Sequence, residues 1–193
     1  MAIVCAIAAA APAMAQTAPE HVRGKVRSLA GDTLNVQTRE GKAVRVTLAA
    51  TWSVVVMKPV ALDAIKPGSF IGTTEIERPD GTGRSLEIHV FPPGVKIGEG
   101  HYPWDLKPHS MMTNGTVGKV VAGARGRTLE VAYPGGVRHV LAPTNVPVVA
   151  IVPGDRAMLK PGVSVFIAPT RLAGGGLAAD RVLIGLNGAA PPM

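Results

Sequence analysis

The amino-acid sequence predicts an all-β protein made of two tandem OB-like Greek-key β-barrels packed through an irregular linker. Three observations lead to this prediction. The chain of 193 residues contains 23 Gly and 17 Pro but only 4% aromatic residues, which favours short strands and tight turns. Apolar and polar residues alternate along many segments, as they do in strands with one buried face. The chain also contains two similar halves, so one small fold is used twice.

The N-terminus has the features of a secretory signal peptide. Residues 2–13 are almost all small or apolar, and Ala-Met-Ala before Gln16 has the form of a signal-peptidase site. We expect a signal peptide at 1–15 and a periplasmic or secreted protein. No Lys or Arg precedes the apolar run, which suggests that translation starts upstream. The alternatives are a buried N-terminal helix and a lipoprotein modified at Cys5, although the residues before Cys5 fit a lipidation site poorly.

Composition narrows the chemistry of the mature chain. Cys5 is the only cysteine and lies in the predicted leader, which excludes disulfides, thiolate metal sites and cysteine nucleophiles. No later segment approaches the roughly 18 apolar residues of a membrane helix, so we do not expect an integral membrane protein. The net charge of +7 favours an anionic envelope component or a protein partner with an acidic face. Scattered Lys and Arg also fit an ordinary solvated surface.

The repeat sets the predicted domains: a first barrel at 16–91, a linker at 92–113, a second barrel at 114–187 and a tail at 188–193. The halves begin with His-Val-Arg-Gly-Lys-Val at 21–26 and Asn-Gly-Thr-Val-Gly-Lys-Val at 114–120. They match best where Ile65 and Leu159 each precede Lys-Pro-Gly, which ends a single helical turn.

The order of elements within each half predicts the type of barrel. Residues 44–48 alternate between apolar and polar, whereas 52–57 and 146–152 are nearly continuous apolar runs, typical of strands covered on both sides. Each half reads as three strands, a buried strand, one helical turn and two strands. A short helix between the third and fourth main strands is the order of an OB-type barrel. A β-sandwich shared by both halves is the alternative.

Three strings carry a resemblance to a known family: Leu-Glu-Ile-His-Val-Phe-Pro at 86–92, Gly-Glu-Gly-His-Tyr-Pro-Trp-Asp at 98–105, and Met-Thr-Asn-Gly-Thr-Val at 112–117. Together they resemble an uncharacterised bacterial envelope family whose domain of unknown function often occurs in tandem behind a signal peptide. The resemblance covers roughly residues 20 to 186 and implies export, tandem repeats and an OB-like fold. It brings no catalytic residues. His109 departs from the small or polar residue expected there.

The linker at 92–113 is the predicted ligand-binding region. It contains four prolines and three glycines and is rich in His, Met and aromatic residues. A long irregular connection is usually functional or a packed bridge. We expect any ligand to meet the cleft between the barrels near His101, Tyr102, Trp104 and Asp105. In the alternative, Tyr102 and Trp104 only bury their rings between the barrels.

The same segment is a candidate metal site. His and Met together suit copper, and His101, His109, Met111 and Met112 are the candidate ligands. Their spacing is loose, without H-x-H or a repeated M-x-x-M pattern. The main prediction is therefore no cofactor, with copper as the alternative.

Enzyme and nucleic-acid signatures are absent from the sequence. It has no G-x-S-x-G, H-E-x-x-H or P-loop motif. Stacking aromatics that an OB barrel would use for single strands are nearly lacking, since Phe70 and Phe166 occupy apolar strands. We expect a non-catalytic binding or interaction module of the bacterial cell envelope and no nucleic-acid partner. The alternatives are a periplasmic copper-binding or other metal-binding protein and a small envelope hydrolase.

Overall fold

The computed structural model describes residues 21–193, and the predicted signal peptide lies outside them. The prediction of an all-β protein is confirmed. No helix in the described part of the chain is long and apolar enough to cross a membrane. The strands are β1 (Val22–Ala30), β2 (Thr33–Thr38), β3 (Ala43–Pro59), β4 (Phe70–Glu77), β5 (Gly83–Val90), β6 (Gly100–Trp104), β7 (Ser110–Gly123), β8 (Gly126–Tyr133), β9 (Gly136–Pro143), β10 (Val148–Gly154), β11 (Ser164–Ile167), β12 (Thr170–Arg171) and β13 (Leu177–Gly185).

The predicted helical turns are present as short 3-10 turns at Leu62–Ala64 and Arg156–Met158, with a third turn at Leu186–Gly188. Both Lys-Pro-Gly motifs follow such a turn. Gly68 and Gly162 each have a φ of 86°, a left-handed conformation that glycine adopts without a steric penalty. Pro cannot extend the turn and Gly reverses the chain, so each motif directs it into the next strand, β4 or β11.

The strands close into two rings, each with members from both halves of the chain. The first ring pairs β1–β2–β3–β13–β11 and returns to β1. The second ring pairs β7–β8–β9–β5–β4 and returns to β7. In each ring, three strands come from one repeat and the last two from the other. The ring order is that of an OB barrel, but the predicted bounds 16–91 and 114–187 delimit repeats and not separate barrels.

The length of β3 explains this exchange of strands. β3 runs for 17 residues, so at about 3.3 Å per residue it extends well beyond one small ring. Its first part completes the first ring, and its second part continues towards the second ring beside β10. Val56 lies opposite Val152 in this antiparallel pair. Within the apolar run at 52–57, β13 and β10 occupy the two hydrogen-bonding edges. Ser53 is exposed and Val55 half-buried, so one face of the run is only partly covered.

A glycine in the first strand of each repeat permits close strand packing. Gly24 lies opposite Val165, and Gly115 lies opposite the matching residue Ile71. A Cβ on Gly24 would lie 2.1 Å from a backbone oxygen of the next strand, and one on Gly115 would lie 2.4 Å from such an oxygen. In the structure, Gly24 therefore corresponds to Gly115. Close backbone approach, rather than the Lys-Val string, defines the equivalent residue.

Three apolar clusters hold the rings together. The first ring is filled mainly by Val, Leu and Ile, with Leu34 and Val46 fully buried. The second has a similar core around Ile71 and Leu129. A third cluster lies between the rings: Met57, Val149, Phe166, Leu183 and Met193.

Because each ring needs strands from both repeats, a monomeric fragment of residues 16–91 is expected not to fold. It contains β1, β2 and β3 but lacks β11 and β13, which would leave the first core open to water. Mixing it with a fragment of residues 92–193 should restore the far-ultraviolet circular dichroism of the intact chain. A monomeric 16–91 fragment with dispersed amide NMR signals and cooperative unfolding would contradict the exchanged arrangement.

Candidate functional site

A cleft of about 510 Å³ lies between the two rings. Its size falls within the range of about 300–1,000 Å³ that is usual for small-molecule sites. One wall comes from the outer face of the second ring and the segment that follows β5. The opposite wall comes from β11 and β13 of the first ring, with β3 and β10 between them. Most of the side chains that line it are apolar or aromatic, among them Val54, Phe91, Tyr102, Trp104, Met112, Ile151, Phe166 and Leu183.

Strand β6 forms part of the cleft wall, although the sequence predicted an irregular linker at 92–113. It pairs antiparallel with β7, with Tyr102 opposite Met112 and Trp104 opposite Ser110. Pro103 lies within this strand. Among the described strands, β6 pairs only with β7, so it is an edge strand and tolerates a proline that cannot donate a hydrogen bond. The prolines therefore excluded a helix from this segment, but they did not exclude a strand.

Alternation along β6 separates the four predicted ligand-binding residues. Tyr102 and Trp104 face the cleft. His101 lies on the other face, where its Nδ1 is 2.8 Å from Thr113 Oγ1. Asp105 lies beyond the strand and pairs with Arg23 and His21, with the closest oxygen 2.6 Å from the Arg23 guanidinium. The structure thus places two of the four residues in the cleft and two outside it.

The four candidate metal ligands do not converge. Met112 is buried and lines the cleft, whereas His101 faces away from it. Met111 lies opposite Pro103 on β6, and His109 is exposed in the preceding turn. His109 has a φ of 60°, a left-handed conformation more typical of Gly or Asn. Within residues 21–193, no three His, Cys, Asp or Glu side chains form a cluster that could hold a metal ion.

A buried carboxylate–histidine pair, which the sequence analysis missed, forms the polar part of the cleft wall. Glu87 and His89 are 0% and 1% exposed. Glu87 Oε1 accepts hydrogen bonds from the backbone N–H of Thr74 at 2.9 Å and from its hydroxyl at 2.7 Å. Glu87 Oε2 lies 3.1 Å from His89 Nδ1. These contacts fix the carboxylate, and the carboxylate fixes the imidazole ring that lines the cleft.

Gly72 leaves the space that the pair needs. It lies opposite His89 on β5 and opposite Asn114 on β7. A Cβ on Gly72 would lie 2.0 Å from His89 Nε2 and 2.2 Å from Asn114 Oδ1. The side chains of His89 and Asn114 therefore occupy the space above Gly72 from its two sides, with His89 Nε2 and Asn114 Oδ1 close together. Asn114 Oδ1 and Trp104 Nε1 are both buried, and neither has a hydrogen-bond partner among the described residues.

The two walls occupy equivalent positions in the repeat but differ in chemistry. Phe166 pairs with Leu183 in the first ring as Gly72 pairs with His89 in the second. The wall from the first ring therefore has the apolar Leu183 at the position where the wall from the second ring has the His89 imidazole. An asymmetric molecule in the cleft would therefore have one preferred orientation.

A second polar cluster closes one end of the second ring. Glu75 is fully buried, and its Oε1 accepts hydrogen bonds from Arg138 Nε at 2.7 Å and from Thr113 Oγ1 at 3.1 Å. Arg138 also donates to the carbonyl of Gly81. Gly83 must lack a side chain here, because its Cβ would lie 1.5 Å from Glu75 Oε2. This ion pair joins β4, β7 and β9, which gives it a structural role.

Burial and hydrogen bonding shift the pKa of three groups near the cleft. Burial raises the pKa of the Tyr102 hydroxyl and lowers the pKa of the His21 imidazole, against the opposite effect of Asp105 on His21. For Asp105, burial acts to raise the pKa, but hydrogen bonds from Arg23 and His21 outweigh it and bring the value to about 2. Asp105 is therefore ionised near neutral pH and anchors the end of the β6 segment to β1.

Comparison of the chain with family models, with curated proteins and with solved structures gives no match in any of the three. The resemblance to an envelope family therefore stays a prediction.

The Asp105 contacts predict a specific loss of stability in acid. The pKa of Asp105 is about 2 in the folded chain against an ordinary value of 3.8. A carboxyl with a lowered folded-state pKa contributes its full stability above its unfolded pKa, and loses it as the pH falls through the folded value. The free-energy difference between wild type and Asp105→Asn should therefore shrink as the pH falls from about 4.5 towards 2.

Urea unfolding of both proteins between pH 6 and pH 2.5 measures this difference. Asp63→Asn is the matched control, since Asp63 is exposed and forms no ion pair with a described residue. An Asp105→Asn difference that did not change with pH would contradict the assignment.

Proposed function

We propose that this chain is a non-catalytic binding module whose cleft takes up a small, mostly apolar molecule. The observation that carries the proposal is the preformed cleft between the rings, whose lining is mostly apolar and aromatic with a few polar side chains. Concave, largely apolar sites with a few placed polar groups are the usual form of small-molecule sites.

The aromatic side chains supply the main contribution to affinity. Trp104 packs near Phe166 across the cleft, with ring centroids 6.2 Å apart, and Tyr102 lies beside Trp104 at the same centroid distance. Burial of apolar surface contributes roughly 25 cal/mol per Å². Most of the wall residues lie on paired strands, so the cleft needs little rearrangement to bind. A preformed site keeps more of its contact energy as affinity, because fewer groups must be ordered on binding.

The two other candidate functions have less support. The candidate copper ligands lie on opposite faces of the β6–β7 pair, which weighs against a single metal site. A hydrolase would use Glu87 and His89 as an oriented base. Among the described residues, however, no Ser or Thr hydroxyl hydrogen-bonds to His89 to serve as its nucleophile. The carboxylate–histidine pair therefore supports recognition better than covalent catalysis.

Placement in the cell envelope is also part of the proposal. It rests on the predicted leader at 1–15, and the positive charge would favour an anionic envelope component or an acidic protein face as partner. N-terminal sequencing of the protein after expression with a longer upstream reading frame should give a first residue of Gln16 in the periplasmic or secreted fraction. An intact leader on protein found only in the cytoplasm would contradict export.

Blocking the cleft tests the proposed binding. N-phenyl-1-naphthylamine, which fluoresces in apolar surroundings, should bind the mature chain with one site. Ala168 is exposed and lines the cleft, so Ala168→Trp should weaken binding by about tenfold or more without disturbing either core.

Ala122→Trp places the same side chain on the exposed end of β7 and is the matched control. Titration by calorimetry avoids interference from the added tryptophan. Equal affinity in both variants would show that the probe binds elsewhere, and no binding to wild type would count against the proposed function.

A further inference from the structure

The polar wall of the cleft presents hydrogen-bond acceptors in a fixed orientation. An ionised Glu87 only accepts hydrogen bonds, and its Oε2 lies 3.1 Å from His89 Nδ1. Opposite a carboxylate oxygen, the ring can form this bond only with a proton on Nδ1. In the neutral imidazole the proton on Nδ1 leaves Nε2 with its lone pair, as a hydrogen-bond acceptor. Glu87 thereby determines which nitrogen of His89 can accept a hydrogen bond at the cleft.

The orientation of Asn114 adds a second acceptor beside the first. Its Nδ2 donates to the Gly98 carbonyl and to the Tyr102 oxygen, both at 2.9 Å. These two bonds use both amide hydrogens, so the remaining atom at Gly72 must be Oδ1. It is buried and has no partner among the described residues. Two acceptors thus converge over Gly72, and both belong to side chains that line the cleft.

We infer that the ligand of this cleft is an apolar molecule with a hydroxyl or N–H group at its buried end, which donates a hydrogen bond to His89 Nε2. The inference rests on the proposed binding function and names the chemical class of its ligand. Glu87 is a positioning residue: it does not touch the ligand but sets the tautomer that accepts from it. A carboxylate or phosphate in the same place would face two acceptors and the nearby Glu87 charge, and is disfavoured.

A pair of probes that differ in one donor tests the inference. 1-Naphthol and 1-methoxynaphthalene share the same rings, but only the naphthol has an O–H to donate. We expect the mature wild-type chain to bind 1-naphthol about fivefold to tenfold more tightly, as measured by calorimetry. In His89→Phe this preference should fall to about onefold while binding of the ether persists.

Glu87→Gln separates tautomer control from a merely structural role. The glutamine oxygen can keep both hydrogen bonds from Thr74, while its amide N–H donates a hydrogen bond to His89 Nδ1. Nδ1 is then the acceptor, so the ring adopts the tautomer with its proton on Nε2. The naphthol preference should then disappear. Long-range ¹H–¹⁵N NMR of the ligand-free proteins should show Nδ1 protonated in the wild type and Nε2 protonated in the variant, which does not depend on any ligand.

The outcomes distinguish the two proposals. Equal binding of both probes by wild type, or an Nε2-protonated tautomer in wild type, would overturn this inference and leave the proposed binding function standing. Failure of both probes to bind would remove the proposed function, and this inference with it. Retention of the naphthol preference in Glu87→Gln would overturn the positioning role of Glu87.

Discussion

The exchange of strands through β3 and β10 is the constraint on which the rest of the structure depends. Each of these strands begins beside one ring and ends beside the other, and they pair antiparallel where they cross. Because of this crossing, neither ring is complete without both repeats. The crossing also fixes the separation of the rings, and therefore the width of the cleft between them. A site between two independent domains joined by a linker would instead change shape as the domains moved.

The two repeats form equivalent arrangements of strands, but the side chains at equivalent positions differ. Phe166 and Leu183 make one wall apolar, while Gly72 and His89 occupy the matching places opposite. Buried polar groups differ as well: the second ring has the Glu75–Arg138 ion pair at one end, whereas Ser164 is the one buried polar side chain on the described strands of the first ring. Burying ionisable groups costs free energy unless they are paired and hydrogen-bonded. Here Glu75 and Glu87 each have such partners, and the Glu87–His89 pair is the one on which the proposed ligand recognition rests.

Much of the fold could be predicted from the sequence because it depends on local patterns. Alternation identified the strands, and both Lys-Pro-Gly motifs marked a turn before a buried strand. The partner of each strand could not be predicted, since alternation gives a strand two faces but does not say which half of the chain completes its ring. Glu87 and His89 were missed for a related reason. In Leu-Glu-Ile-His-Val, Glu87 and His89 alternate with apolar residues. A strand with one face in solvent has the same pattern. Only the opposite ring and β6 bury these two side chains.

Strand exchange also determines when the molecule can form. The first ring includes β11 and β13, which lie far along the chain from β3. Domains commonly fold from the N-terminus while synthesis continues, but β1 to β3 must wait until β11 and β13 have been made. We therefore expect the N-terminal half to stay unfolded until then. Under the proposed export, this delay would keep the chain in the unfolded form that a narrow export channel accepts.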